Sequence, residues 1–190
     1  MEFTIEGKYP VLRCYLSKGE SLYTSAGHMS WMTEGFDYKV KSGGGVMKAF
    51  GRAFAGEGFF QNTYKAKNDG QEIAFAMSMP GEIKHIYMDG SKSFTAQKSA
   101  FLAAEESVVF DTVFTKKFTA GLLGGEGFIL QNFSGKGNLF LEADGSLISY
   151  NLKERESLLV DQGNLFLFEE GVSYEIETIK GMKNVFFGGE

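Results

Sequence analysis

The chain of 190 residues holds one cysteine, two histidines, one tryptophan and two prolines. The lone cysteine, Cys14, excludes an internal disulfide and suits a reducing compartment. It lies in the alternating stretch Val11-Leu12-Arg13-Cys14-Tyr15-Leu16, which reads as a strand and not as the setting of a nucleophile. Imidazole metal sites draw their ligands in clusters, whereas His28 and His85 stand far apart and read as a turn residue and a strand-surface residue. No metal and no cofactor are expected. No apolar run approaches the ~18 residues of a membrane-spanning helix. No basic segment followed by an apolar stretch opens the sequence, so a signal peptide is not expected. A net charge of −5 runs against the cationic surface that phosphate binding needs, so nucleic acid is an unfavoured partner. The expected location is the cytoplasm.

Familiar catalytic phrases are missing as well. There is no Gly-x-Ser-x-Gly elbow, no phosphate loop and no dinucleotide fingerprint between a strand and a helix. Among 24 acidic residues no spacing singles out a pair for glycosidic acid–base work. The expectation is a protein that is not an enzyme, with an enzyme built from scattered residues as the weaker alternative.

What the chain has in abundance is aromatic residues and glycine: 19 Phe, 8 Tyr and 25 Gly. Apolar residues alternate at Phe3/Ile5, Ile73/Phe75/Met77, Leu139/Leu141, Leu147/Tyr150/Leu152 and Tyr174/Ile176, the period of half-buried strands. Asn68-Asp69-Gly70, Pro80-Gly81, Asp89-Gly90 and Asp144-Gly145 supply turns between them. One phrase occurs three times: Gly56-Glu57-Gly58, Gly124-Gly125-Glu126-Gly127 and Gly188-Gly189-Glu190. The three glutamates lie 69 and 64 residues apart.

Other positions recur with them. Leu16–Leu22 matches Met88–Phe94 after 72 residues and Leu152–Leu158 after a further 64. The pattern predicts a single β domain of three repeats, at about 1–72, 73–136 and 137–190, each of roughly six strands. Ser134-Gly135-Lys136-Gly137 reads as the link between the second and third. The Gly-Glu phrase reads as a tight corner whose carboxylate accepts hydrogen bonds from turn amides. Before its first copy, Val46, Lys48, Phe50, Arg52 and Phe54 form one short amphipathic helix with a basic flank, suited to capping the sheet or to meeting a protein or an anionic membrane. A patch of Lys48, Arg52, Lys65 and Lys67 is the alternative, as a ligand or RNA site. Trp31 and Met32 read as core residues.

Leu16-Ser17-Lys18-Gly19-Glu20-Ser21-Leu22-Tyr23, Ala26-Gly27-His28-Met29 and Gly43-Gly44-Gly45 resemble the opening signature of the family named for altered inheritance of mitochondria. So do Gly124–Gln131 and Glu156–Gly163 further on. The resemblance implies a double-stranded β-helix or β-sandwich, placed near the tryptophan RNA-binding attenuation protein by fold. It further implies self-association, no established enzymatic activity, and a scaffold role like that of the fungal members at the mitochondrial inner membrane. It brings no catalytic residues. Members continue past the third Gly-Gly-Glu with an apolar strand, so the third unit is expected to lack the counterpart of Phe128–Phe133 and to leave an open edge.

Overall fold

The computed structural model describes residues 1–42, 60–114 and 129–175. Strands dominate: β1 (Glu2–Glu6), β2 (Val11–Leu16), β3 (Ser21–Ser25), β4 (Met29–Met32), β5 (Phe36–Ser42), β6 (Phe60–Ala66), β7 (Gln71–Ala76), β8 (Gly81–Asp89), β9 (Phe94–Gln97), β10 (Phe101–Glu105), β11 (Val108–Phe114), β12 (Ile129–Asp144) and β13 (Leu167–Glu169). The described helical structure is two single turns, Lys98–Ala100 and Gln162–Asn164. Every strand pairing is antiparallel. The all-β character expected from the alternation is what the structure has.

The strands lie in three layers. The first is β1-β2-β7-β4. The second and third are joined through β12, whose 16 residues serve both. Its opening half, Ile129–Gly135, runs between β9 and β11. Its closing half, Lys136–Asp144, runs against β8 and β10. The residues expected as a linker, Ser134 to Gly137, are therefore strand, and the chain changes layer without leaving β structure. Glycine is required there. Gly135 has φ +106° and a Cβ on it would stand 2.3 Å from the Ser107 carbonyl oxygen. Gly137 has φ +147°, with its Cβ position 2.6 Å from Glu105 Oε2. An L side chain fits neither.

The centre of the middle layer, β3, β10 and the closing half of β12, is buried on both faces. Leu22, Leu102 and Phe140 pack toward Leu12, Cys14, Leu16, Ile73 and Phe75 of the first layer. Their neighbours Tyr23, Phe101, Leu139 and Leu141 pack toward Ala96, Val108 and Phe133 of the third. Such a strand cannot alternate apolar with polar, which is why Phe101-Leu102-Ala103-Ala104 is apolar throughout. Full burial of each large side chain contributes about 1.5–3 kcal/mol. This layer is the centre of the molecule's stability.

The pairings recur at fixed offsets. β4 meets β7 with Trp31 opposite Ala74 and Met32 opposite Ile73, after a bulge that follows Met29. β10 meets β12 with Ala103 opposite Phe140 and Ala104 opposite Leu139, after the same bulge following Phe101. The pairs of β3 with β6 and of β6 with β5 reappear, register for register, as β9 with β12 and β12 with β11. Finally, β10 lies on β3 with Ala103, Ala104 and Glu105 opposite Thr24, Tyr23 and Leu22. In the same way β13 lies on β9 with Leu167, Phe168 and Glu169 opposite Ala96, Thr95 and Phe94. At β12 the offset from β7 is two residues longer than the 64 read from the glutamates, since Phe75 corresponds to Leu141 and not to Leu139.

Residues 145–161 depart from the pattern. They correspond to β2 and β3 in the first repeat and to β8 and β9 in the second, but carry no strand pairing. Leu147, Tyr150 and Leu152, expected as a half-buried strand, are not in one. Leu147 is half-buried, while Ile148, Tyr150, Leu152, Leu158, Leu159 and Val160 are all exposed.

Candidate functional site

The residues singled out for the corner and the amphipathic helix, Gly56, Glu57, Gly58, Gly124, Gly125, Glu126, Gly127, Gly188, Gly189 and Glu190 with Val46, Lys48, Phe50, Arg52 and Phe54, all lie outside the described residues. So does the position of the closing strand of the third unit. The described structure directs attention elsewhere, to the outer edge of the first layer.

β4 hydrogen-bonds with β7 along one side and, among the described residues, pairs with nothing along the other. Its counterpart β10 is covered on both sides, by β12 and by β3. The consequence is visible in exposure. Ala103 and Ala104 are 0% exposed, whereas Trp31 and Met32, at the same positions of β4, are 46% and 40% exposed. The expectation that Trp31 and Met32 belong to the core is thus corrected: they are exposed large apolar residues on a strand edge that has no partner among the described residues.

Trp31 is held in place. Its Nε1 donates to Glu72 Oε1 at 3.0 Å, and Glu72 also receives Arg13 Nε at 2.9 Å and Nη2 at 3.0 Å. Arg13 reaches on to Glu6 Oε2 at 3.3 Å. Hydrogen bonds from Arg13, then from Trp31, hold the Glu72 carboxyl below its ordinary range. At the corresponding place in the middle layer His85 Nε2 lies 2.7 Å from Asn138 Oδ1. An ion pair suits the outer face, where water solvates it. His85, expected at a strand surface, is in a strand and half-buried. Its ring packs at 4.5 Å from Phe3 and 5.1 Å from Phe140.

Among the described residues Gln131 is fully buried with no hydrogen-bond partner at either polar atom of its side chain, while other polar groups have structural partners. His28 Nδ1 lies 3.6 Å from Glu142 Oε1, and Glu142 accepts from the Ser78 amide at 2.7 Å. Glu105 accepts from the Asn138 amide at 2.6 Å. Lys67, part of the basic patch considered above, is paired to Asp37 at 2.8 Å. Cys14 is fully buried, and that burial pushes its thiol pKa up, the opposite of what a nucleophile requires. Among the described residues no group of three or more His, Cys, Asp or Glu side chains is placed to hold a metal ion, and no helix is long and apolar enough to cross a membrane. Two shallow clefts exist. One, of ≈ 190 Å³, lies between Gly19–Ser21 and Glu105–Ser107. The other, of ≈ 230 Å³, lies beside Gln61, Thr63 and Val108–Phe110. Neither gathers a nucleophile with a base.

Comparison with known proteins finds relatives along the whole chain. An uncharacterised protein of Streptococcus pyogenes serotype M6 is 26% identical over 200 aligned positions, covering 100% of this chain and 79% of the relative. The crystal structure of a Streptococcus pyogenes protein superposes with a TM-score of 0.79 at 23% identity, over 100% of this chain and 85% of that one, and so shares the fold. The family model described as mitochondrial biogenesis AIM24 matches residues 3–190. The chain belongs to the AIM24 family.

Proposed function

We propose that the protein is a non-enzymatic interaction module that acts by associating with further copies of itself. The observation that carries this reading is the pairing of two unsatisfied surfaces on one chain. One is the open β4 edge bearing Trp31 and Met32. The other is the segment 147–160, whose Ile148, Tyr150 and Leu152 and then Leu158, Leu159 and Val160 are exposed, Leu159 at 88%. Clustered exposed apolar residues mark interaction surfaces, and an open edge that is not blunted by charge or proline recruits another strand. The shallow clefts and the absence, among the described residues, of a nucleophile beside a base support a role in binding over one in catalysis. The buried, unpaired Cys14 supports a cytoplasmic location.

Light scattering across a wide concentration range tests the reading. The expected result is a mass that rises above the 21.0 kDa of one chain as concentration increases. A mass of one chain throughout would overturn it. A membrane or a different protein as an additional partner is compatible with the same surfaces, and the same experiment with and without anionic vesicles separates the two.

A further inference from the structure

We infer that the open edge of β4 in one copy receives residues 158–160 of a second copy, antiparallel, with Trp31 opposite Val160, Met32 opposite Leu159 and Thr33 opposite Leu158. The inference rests on the self-association reading above and adds to it the two surfaces and their register.

The register comes from the chain's own internal joints. Each repeat hands its third strand to the fourth strand of the next. Thr24, Tyr23 and Leu22 of β3 lie opposite Ala103, Ala104 and Glu105 of β10. Ala96, Thr95 and Phe94 of β9 lie opposite Leu167, Phe168 and Glu169 of β13. The second set follows from the first by moving 72 residues along on one side and 64 on the other, with no slip. One further step on the third-strand side leads to Val160, Leu159 and Leu158. One step back on the fourth-strand side leads to Trp31, Met32 and Thr33. Neither of these last two segments has a strand partner for this joint among the described residues.

Burial points the same way. At the internal joint, Leu22, Tyr23 and Thr24 are buried, as are Ala103 and Ala104. Their counterparts at the unmade joint are all exposed, yet five of the six are large apolar side chains that become cross-strand neighbours in the inferred register. A one-residue slip would turn each of them to the opposite face.

The two segments cannot meet within one chain. Residues 158–161 lead straight into the turn Gln162–Asn164, which is fixed to the third layer by Gln97 Nε2 donating to the Gln162 carbonyl at 2.6 Å. From Val160 to Gln162 the chain spans at most about 7 Å. β4 lies in the first layer, on the far side of the middle one, and stacked sheets are about 10 Å apart, so roughly 20 Å separates the first layer from the third. The joint is therefore between copies, and each copy carries one half at each end. Such head-to-tail contacts close into rings or continue as filaments according to the rotation between copies.

Cross-linking reads the register. Single variants Trp31→Cys and Val160→Cys are mixed and oxidised. Directly opposed residues lie within disulfide reach, while diagonal ones, about 7–8 Å apart, do not. The expected result is a linked dimer from this mixture, and at least about tenfold less from Thr33→Cys mixed with Val160→Cys. Unaltered chain gives none, because Cys14 is buried. A second pair guards against local disturbance. Met32→Lys and Leu159→Asp each weaken association when alone, and their mixture restores it, since opposite charges then face each other across the joint. If the chain associates but the opposed cysteines do not link and the charge mixture does not recover, the inferred joint is wrong while self-association stands. If light scattering shows only single chains, both fall.

Discussion

The segments Ser21–Ser25 and 157–161 are related by the two offsets of 72 and 64 residues, through 93–97 between them, and meet opposite fates. Leu22, Tyr23 and Thr24 lie between β6 and β10 and are buried. Leu158, Leu159 and Val160 have no strand partner among the described residues and are exposed. The two segments differ little in apolar content, so their own residues do not decide the outcome. What decides it is whether the next repeat's fourth strand is there to receive them. β4 and β10 teach the same lesson from the other side.

This contrast can be broken most severely at the middle layer. Phe140→Ala removes a fully buried ring that touches the first layer and the Phe3 and His85 rings. It should cost about 3–5 kcal/mol, read as a fall in the denaturant midpoint with little change in slope. Next comes the crossing between layers. Gly135→Ala places a methyl group against the Ser107 carbonyl at a left-handed backbone position, and should cost about 1–3 kcal/mol, measured in the same way.

The Glu72/Asn138 position gives a third, smaller contrast. The Glu72 carboxyl titrates below its ordinary value in the folded chain. The stabilisation it brings is therefore complete above that ordinary value and is lost as pH falls through the lower, folded one. Melting temperature followed downward from neutral pH should drop less steeply in Glu72→Gln than in the unaltered chain. An unchanged acid limb would remove Arg13 and Trp31 as its cause. Smallest of all, Leu159→Ala at dilutions where single chains prevail should alter stability by no more than about 0.5 kcal/mol, because the side chain has nothing to lose.

The all-β fold was legible in the alternation around Leu12, Ile73 and Phe75, since a sheet with one face on the core imposes a period of two on its own residues. The places where the reading went wrong share one cause. Trp31 and Met32 look like core because large apolar residues usually are, and their exposure depends on a neighbouring strand that no local pattern encodes. Leu147, Tyr150 and Leu152 alternate as a strand should, yet a strand exists only when paired. Gly135 and Gly137 look like a linker, whereas close approach of Ser107 and Glu105, residues about 30 positions away, makes them part of a continuous strand. The candidate edge was hidden for the same reason: edges are properties of pairs.

The most direct measurement is amide hydrogen exchange at low and high protein concentration, followed in the peptides that cover residues 29–33 and 157–161. The account predicts that both become slower together as concentration rises, while the peptides of β10 and β3, already paired within the chain, do not change. Exchange in both peptides that is fast and independent of concentration, or protection that appears in only one of them, would contradict it.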